Sequence, residues 1–208
     1  MKKKTYSITA IAIVLVLIFL DQILKIWVRT NMDFGETISL CGDWLNLHFI
    51  ENEGMAFGIS FGENFGKLML SLVRIAVVGY LIYFFIQKIK KNQIDLITTC
   101  ILSLIIAGAL GNIIDSAFYG IYFDYAPFMY GRVVDMFYVK LFLIPDWVPY
   151  FGGAYFFPAI FNIADSCVTV GVIGMLCFNK RFFRDFKEEK KVQPELSDNQ
   201  VFNNEDKV

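Results

Sequence analysis

The sequence predicts an all-α membrane protein built on four transmembrane helices. Three observations predict it. Four apolar stretches each run about 20 residues, the length that crosses a hydrocarbon core about 30 Å thick. Only 19% of the 208 residues are charged, while 56% are hydrophobic. The basic residues gather at the ends of the apolar stretches instead of spreading along the chain. Because the charges are clustered, the net charge of -1 says little. No basic stripe points to nucleic acid.

The first stretch covers about 6–28. Lys2, Lys3 and Lys4 precede it in the manner of a signal peptide, but no small-residue cleavage site follows. Asp21 and Lys25 interrupt its far end, so it reads as an uncleaved span. The second covers about 68–86, the third about 94–114 and the fourth about 157–178. Basic groups at Lys2–Lys4, at Lys88, Lys90 and Lys91, and at Lys180, Arg181, Arg184 and Lys187 fall on one side of four spans. The positive-inside rule makes that side the cytoplasm, with both termini there. Segments 29–67 and 115–156 then face outward. Residues 1–180 form one membrane domain, and the charged 181–208 stretch reads as a solvated cytoplasmic tail. Within 37–50, Leu45, Leu47 and Phe49 alternate with Asn46 and His48, a strand pattern that suits a small sheet on the outer surface. Cys41, Cys100, Cys167 and Cys177 form no C-x-x-C pair and read as small apolar residues.

The ionisable residues inside the spans share one depth. Asp165 lies fifteen residues before Lys180, roughly 22 Å of helix. Asp21 lies seventeen residues past Lys4, roughly 25 Å. Asn112 and Asp115 lie roughly 27–30 Å from Ile94. All belong to the outer third of the membrane, and Asp135 lies in the outer segment that leads back to it. Asn162 with Asp165, and Asn112 with Asp115, are spaced i, i+3 and share a helix face. Asp21 and Lys25 are spaced i, i+4, which suits an ion pair. Any one of these residues fits hydrogen-bonded glue between helices, and Asp21 with Lys25 can neutralise itself. Five or more at one depth indicate a site.

The residue inventory narrows the chemistry. His48 is the only histidine, which leaves a serine triad or a zinc centre without ligands. The G-x-S-x-G match at Gly58–Gly62 has its histidine upstream and reads as chance. A Ser60–Lys67 dyad is weak, and nothing depresses the thiol in a Cys41–His48 pair. Paired carboxylates remain. Two close aspartates share one proton, so that one activates water and the other protonates the carbonyl, with no metal or cofactor. Asp135, at the end of the extended run GRVVD, and Asp165 suit that role. Spacing does not show that they meet.

Five motifs in order carry a resemblance: DQILK at 21–25, NEGMAFG at 52–58, GALGNIID at 108–115, GRVVDMF at 131–137 and FPAIFNIADS at 157–166. Together, over about residues 15–175, they resemble the lipoprotein signal peptidases. The resemblance implies an aspartic endopeptidase of the bacterial inner membrane. Its substrates would be diacylglyceryl-modified prolipoproteins, cut on the amino side of the lipidated cysteine, and it would work among membrane lipids as a monomer. Asp135 and Asp165 match the catalytic dyad. Asn52, Asn112 and Asn162 match polar residues that line the site or orient the dyad. Asp21, Lys25 and Asp115 match supporting residues, and Gly54, Ala56 and Phe57 match an outer-loop motif. The implied fold adds a small extracytoplasmic β-cradle and an interfacial helix.

Two features depart from the pattern. Ser116 stands where the family has an arginine, which leaves Arg132 as the expected substitute. The aromatic 138–156 stretch is long, and reads either as an interfacial belt or as a lid over a lipid groove. A rival class is a small proton- or cation-coupled transporter with Asp21, Asp115 and Asp165 as a relay. Such relays lie near the midplane between repeats, and no repeat is visible here. An assembly factor held by polar glue would not need Asp135 and Asp165.

Overall fold

The computed structural model describes residues 2–52, 67–91 and 93–182. Gly54, Ala56 and Phe57 lie outside these residues, as does the tail beyond residue 182. Three helices are long and apolar enough to cross a membrane: α1 (Lys2–Asn31), α2 (Lys67–Lys90) and α3 (Leu96–Ile114) with the turns that follow it. The remaining elements are β1 (Thr37–Cys41), β2 (Leu45–Asn52), α4 (Gly120–Tyr122), β3 (Val133–Val139), β4 (Ile160–Phe161), α5 (Ile163–Cys177) and α6 (Asn179–Phe182). The small sheet expected beside the helices is a four-stranded antiparallel unit in the order β1-β2-β3-β4. The interfacial helix has no counterpart among the described residues.

The helix boundaries follow local chemistry. Asp95 caps α3 by accepting from the Thr98 amide at 2.7 Å, so the helix begins just inside the expected 94–114. The fourth apolar stretch differs more. It enters α5 only at Ile163, because residues 160–161 pair with Phe137 and Tyr138 of β3 and Asn162 then caps the helix. Beyond Ile114 the chain makes a π-helical turn, Asp115–Tyr119. Such turns shift the side-chain register and are frequent at functional sites.

α3 packs against α1, α2 and α5 and is the central helix. Glycine allows its close contact with α5. A Cβ on Gly108 would lie 2.2 Å from the Ala164 carbonyl oxygen, and one on Gly111 would lie 3.1 Å from the Ala164 Cβ. Ile101, Leu102 and Ile105 fill the helix interface with Phe84, Phe85, Val172 and Met175. A second core joins the end of α1 to the sheet through Val28, Met32, Leu47, Phe49, Tyr119, Val134 and Met136. Apolar residues such as Leu15, Phe19, Val73, Val77, Val170 and Leu176 stay exposed on the outer helix faces, as a lipid solvent requires. The cysteines are all free; Cys167 is buried, while Cys41 and Cys177 are exposed.

Lys3 Nζ donates to the Lys90 carbonyl at 3.0 Å, so the start of α1 meets the end of α2. The end of α3 meets the start of α5 through Asn112 and Asp165. The basic segments therefore share one end of the bundle, and the polar cluster lies at the other.

Candidate active site

The polar residues of the cluster come from several elements. Asp135 sits mid-strand in β3 opposite Ile50. Strand alternation sends its neighbours Val134 and Met136 into the core on the opposite face. Gly131 starts this segment where a Cβ would be 2.0 Å from the Asp115 carbonyl oxygen, so only glycine lets the strand approach the π-turn. Asp165 lies in the first turn of α5. Asn162 is not a helix-face residue, as the i, i+3 spacing suggested, but the N-cap. Its side-chain oxygen accepts from the Asp165 amide at 2.8 Å, and Asp165 Oδ2 accepts from the Asn162 amide at 3.4 Å. This reciprocal capping box fixes the Asp165 carboxylate at the helix start.

Asn162 also bridges to the strand. Its Nδ2 donates to Asp135 Oδ1 at 2.7 Å, with Val134 O at 3.3 Å and Asn112 Oδ1 at 3.2 Å also in reach. Asn112 Nδ2 donates to Asp165 Oδ1 at 2.7 Å. Asn52, at the end of β2, hydrogen-bonds Asp135 as well. Asp135 is 2% exposed, whereas Asp165 is only partly buried. Burial, then the negative charge of Asp165, pushes the Asp135 carboxyl up to about 7.

Beneath the pair lies a buried ionic centre. Lys25 Nζ is 2.8 Å from Asp21 Oδ2, 2.8 Å from Asp115 Oδ2 and 3.0 Å from Asn112 Oδ1. The i, i+4 pair is therefore a three-way cluster, and its carboxylates tie elements together. Asp21 accepts from the Ala164 amide of α5 at 2.9 Å. Asp115 accepts from the Val134 amide of β3 at 3.3 Å and from Gln22 Nε2 at 2.8 Å. Tyr119 donates to Gln22 Oε1 at 3.1 Å. Lys25 thus indirectly positions both elements that carry Asp135 and Asp165.

Arg132 does not take the place of an arginine after Asp115. It shares the strand face of Val134, donates to Glu51 Oε2 at 3.1 Å and lies over the Tyr125 ring. With Arg29, which also pairs with Glu51, it lines a separate cleft of about 560 Å³. The arginine that reaches Ser116 is Arg74 of α2, whose Nη1 is 3.5 Å from Ser116 Oγ. The sequence reading passed over Arg74 and Gln22. The signal was present, since Arg74 is the one charged residue between Leu68 and Ile86 in an apolar span.

Comparisons with known proteins show what the chain as a whole is similar to. The family model described as "Signal peptidase (SPase) II" matches residues 13–180. The lipoprotein signal peptidase of Porphyromonas gingivalis is 41% identical over 203 residues, covering 88% of each chain. That of Amoebophilus asiaticus is 36% identical over 213 residues, covering 97% of this chain and 89% of the relative. A solved bacterial membrane enzyme, determined by the in meso method at 2.3 Å resolution, superposes with a TM-score of 0.61 at 32% identity, over 83% of this chain and 88% of that one.

Proposed function

Because the chain belongs to the signal peptidase II family, we propose that it removes signal peptides from diacylglyceryl-modified prolipoproteins as an aspartic endopeptidase, cutting on the amino side of the lipidated cysteine. One observation carries the reading: a single asparagine, Asn162, hydrogen-bonds Asp135 on a strand while capping the helix turn that holds Asp165.

In this mechanism Asp135 holds the shared proton, in keeping with its raised proton affinity. Asp165, the more accessible of the two, takes a proton from water as the water oxygen bonds to the scissile carbonyl carbon. Asp135 gives its proton to the carbonyl oxygen, which forms a neutral diol. Asp165 then protonates the amide nitrogen, the C–N bond breaks, and one diol hydroxyl returns its proton to Asp135. Asn112 and Asn162 hold the carboxylates, and Asn52 steadies Asp135 from β2. Neither step needs a metal or cofactor.

The chain works as a monomer with α1, α2, α3 and α5 crossing the inner membrane and the basic ends in the cytoplasm. Fifteen residues make α5 only about 22 Å long, so its capped start, with Asp165, sits below the outer surface. A lipid-anchored cysteine presents its peptide bond at that depth. The hairpin after β3 closes through a pairing of Leu143 with Tyr155 and stacking of Phe142 on Phe156 at 4.8 Å. It exposes Trp147, Tyr150 and Phe151, and it serves as an aromatic lid over the acyl chains of the substrate.

The test is cleavage by the purified full chain in detergent. A diacylglyceryl-modified prolipoprotein is cut before its cysteine, and the same precursor without lipid is not. Failure to cut the lipidated precursor refutes the reading.

A further inference from the structure

α2 is apolar along its membrane-crossing length except for Ser71 and Arg74, one turn apart on one face. Ser71 is buried and Arg74 partly buried, while Leu72, Val73, Ile75 and Val77 are exposed. The guanidinium therefore points into the bundle. A cation in a span is expensive and is retained where it faces a polar interior.

Its destination is the aspartate pair. Arg74 Nη1 reaches Ser116 Oγ at 3.5 Å, and Ser116 Oγ donates to the Asn112 carbonyl at 3.0 Å. The Asn112 side chain in turn donates to Asp165 at 2.7 Å. The charge of Arg74 acts on Asp165 first, then on Asp115 and Asp135. The charge count gives this contact a purpose. The groups facing the pair are Asp21 and Lys25 from α1, Asp115 from the π-turn, neutral Asn52 from β2 and Arg74 from α2. With one proton on the pair, Asp21, Asp115 and the pair carry three negative charges. Lys25 offsets one and is already in contact with two carboxylates. Arg74 Nη1, by contrast, contacts the neutral Ser116 hydroxyl.

We infer that Arg74 is a positioning residue of the aspartate pair, reaching from α2 through Ser116 to supply the positive charge that keeps one of the two carboxylates ionised. This rests on the reading of Asp135 and Asp165 as the proteolytic pair. Arg74 does not touch the scissile bond. It replaces, from another helix, the charge that the short Ser116 side chain lacks.

The test is the pH profile of kcat/KM on a diacylglyceryl-modified prolipoprotein, with the full chain in detergent and folding checked by thermal unfolding. Removing a nearby cation raises the proton affinity of both carboxylates, so Arg74→Gln moves both limbs upward by about half to one pH unit. Arg74→Lys keeps the limbs near their original positions. Adding Ser116→Arg to Arg74→Gln brings them back. Unmoved limbs in folded Arg74→Gln, whatever its rate, overturn the inference, as does an Arg74→Lys shift as large as that of Arg74→Gln. If Arg74→Gln does not fold, the double variant decides: a folded enzyme with the original limbs supports the inference, and anything else overturns it. Asp135→Asn and Asp165→Asn run alongside as controls. Their inactivity together with an unmoved Arg74→Gln profile defeats this inference alone, while activity in either defeats the reading beneath it.

Discussion

Replacing Lys25 by Met tests the ionic centre beneath the site. Lys25 is fully buried, and its ammonium is 2.8 Å from two carboxylates that are 2% exposed or less. Methionine fills similar volume but leaves Asp21 and Asp115 facing each other as uncompensated charges. Breaking a buried ion pair on one side costs about 3–5 kcal/mol, because the abandoned charge stays desolvated. For a chain of this size that is a fall in Tm on the order of 10 °C. The assay is thermal or denaturant unfolding in detergent, followed by intrinsic fluorescence. The triple change Lys25→Met, Asp21→Asn, Asp115→Asn removes all three charges. It keeps oxygen acceptors for the Ala164 and Val134 amides, so it regains most of the loss. A single variant within about 1 kcal/mol of wild type refutes the reasoning, and so does a triple variant as unstable as the single one.

Four further outcomes follow from the structure. Asn162→Ala removes the α5 cap, at about 1 kcal/mol, and the side-chain hydrogen bond that holds the Asp135 carboxylate. It lowers kcat on the order of 100-fold, with most protein still folded by circular dichroism. The Asp135 carboxyl, raised to about 7, must keep its proton to act as the acid, so kcat/KM falls as pH rises through that value. The same shift means the folded chain holds a proton that the unfolded chain has released between about pH 4 and 7, so stability also declines with rising pH across that window, as unfolding at stepped pH measures. Trp147→Ser with Tyr150→Ser raises KM for the lipidated precursor more than it lowers kcat, and an unchanged KM rejects the lid.

Much of this site was legible in the sequence because intramembrane polar residues are rare and helix spacing assigns them faces. Asn112, Asp115, Asp21 and Lys25 stood out in that way, and the structure gathers the other three around the Lys25 ammonium. Spacing within one helix cannot name a partner across the bundle. The Asp21–Lys25 pair looked self-sufficient, but Asp115 from the π-turn after α3 makes it a three-way cluster. Hydropathy also blurred the start of α5, because residues 157–161 are as apolar as a span yet lie before the helix, with Ile160 and Phe161 paired to β3. Arg132 looked suitable by its nearness in sequence to Asp135, but strand alternation turns it to the other face. Arg74 escaped notice because its span was read for length and not for the one charge within it.

The central claim is that Asp135 and Asp165 act as one catalytic pair. Its most direct test is cleavage of a diacylglyceryl-modified prolipoprotein by wild type, Asp135→Asn and Asp165→Asn, each shown to be folded by its unfolding transition. The account predicts cleavage by wild type and near-total loss in both variants. Retained cleavage by either folded variant would contradict it.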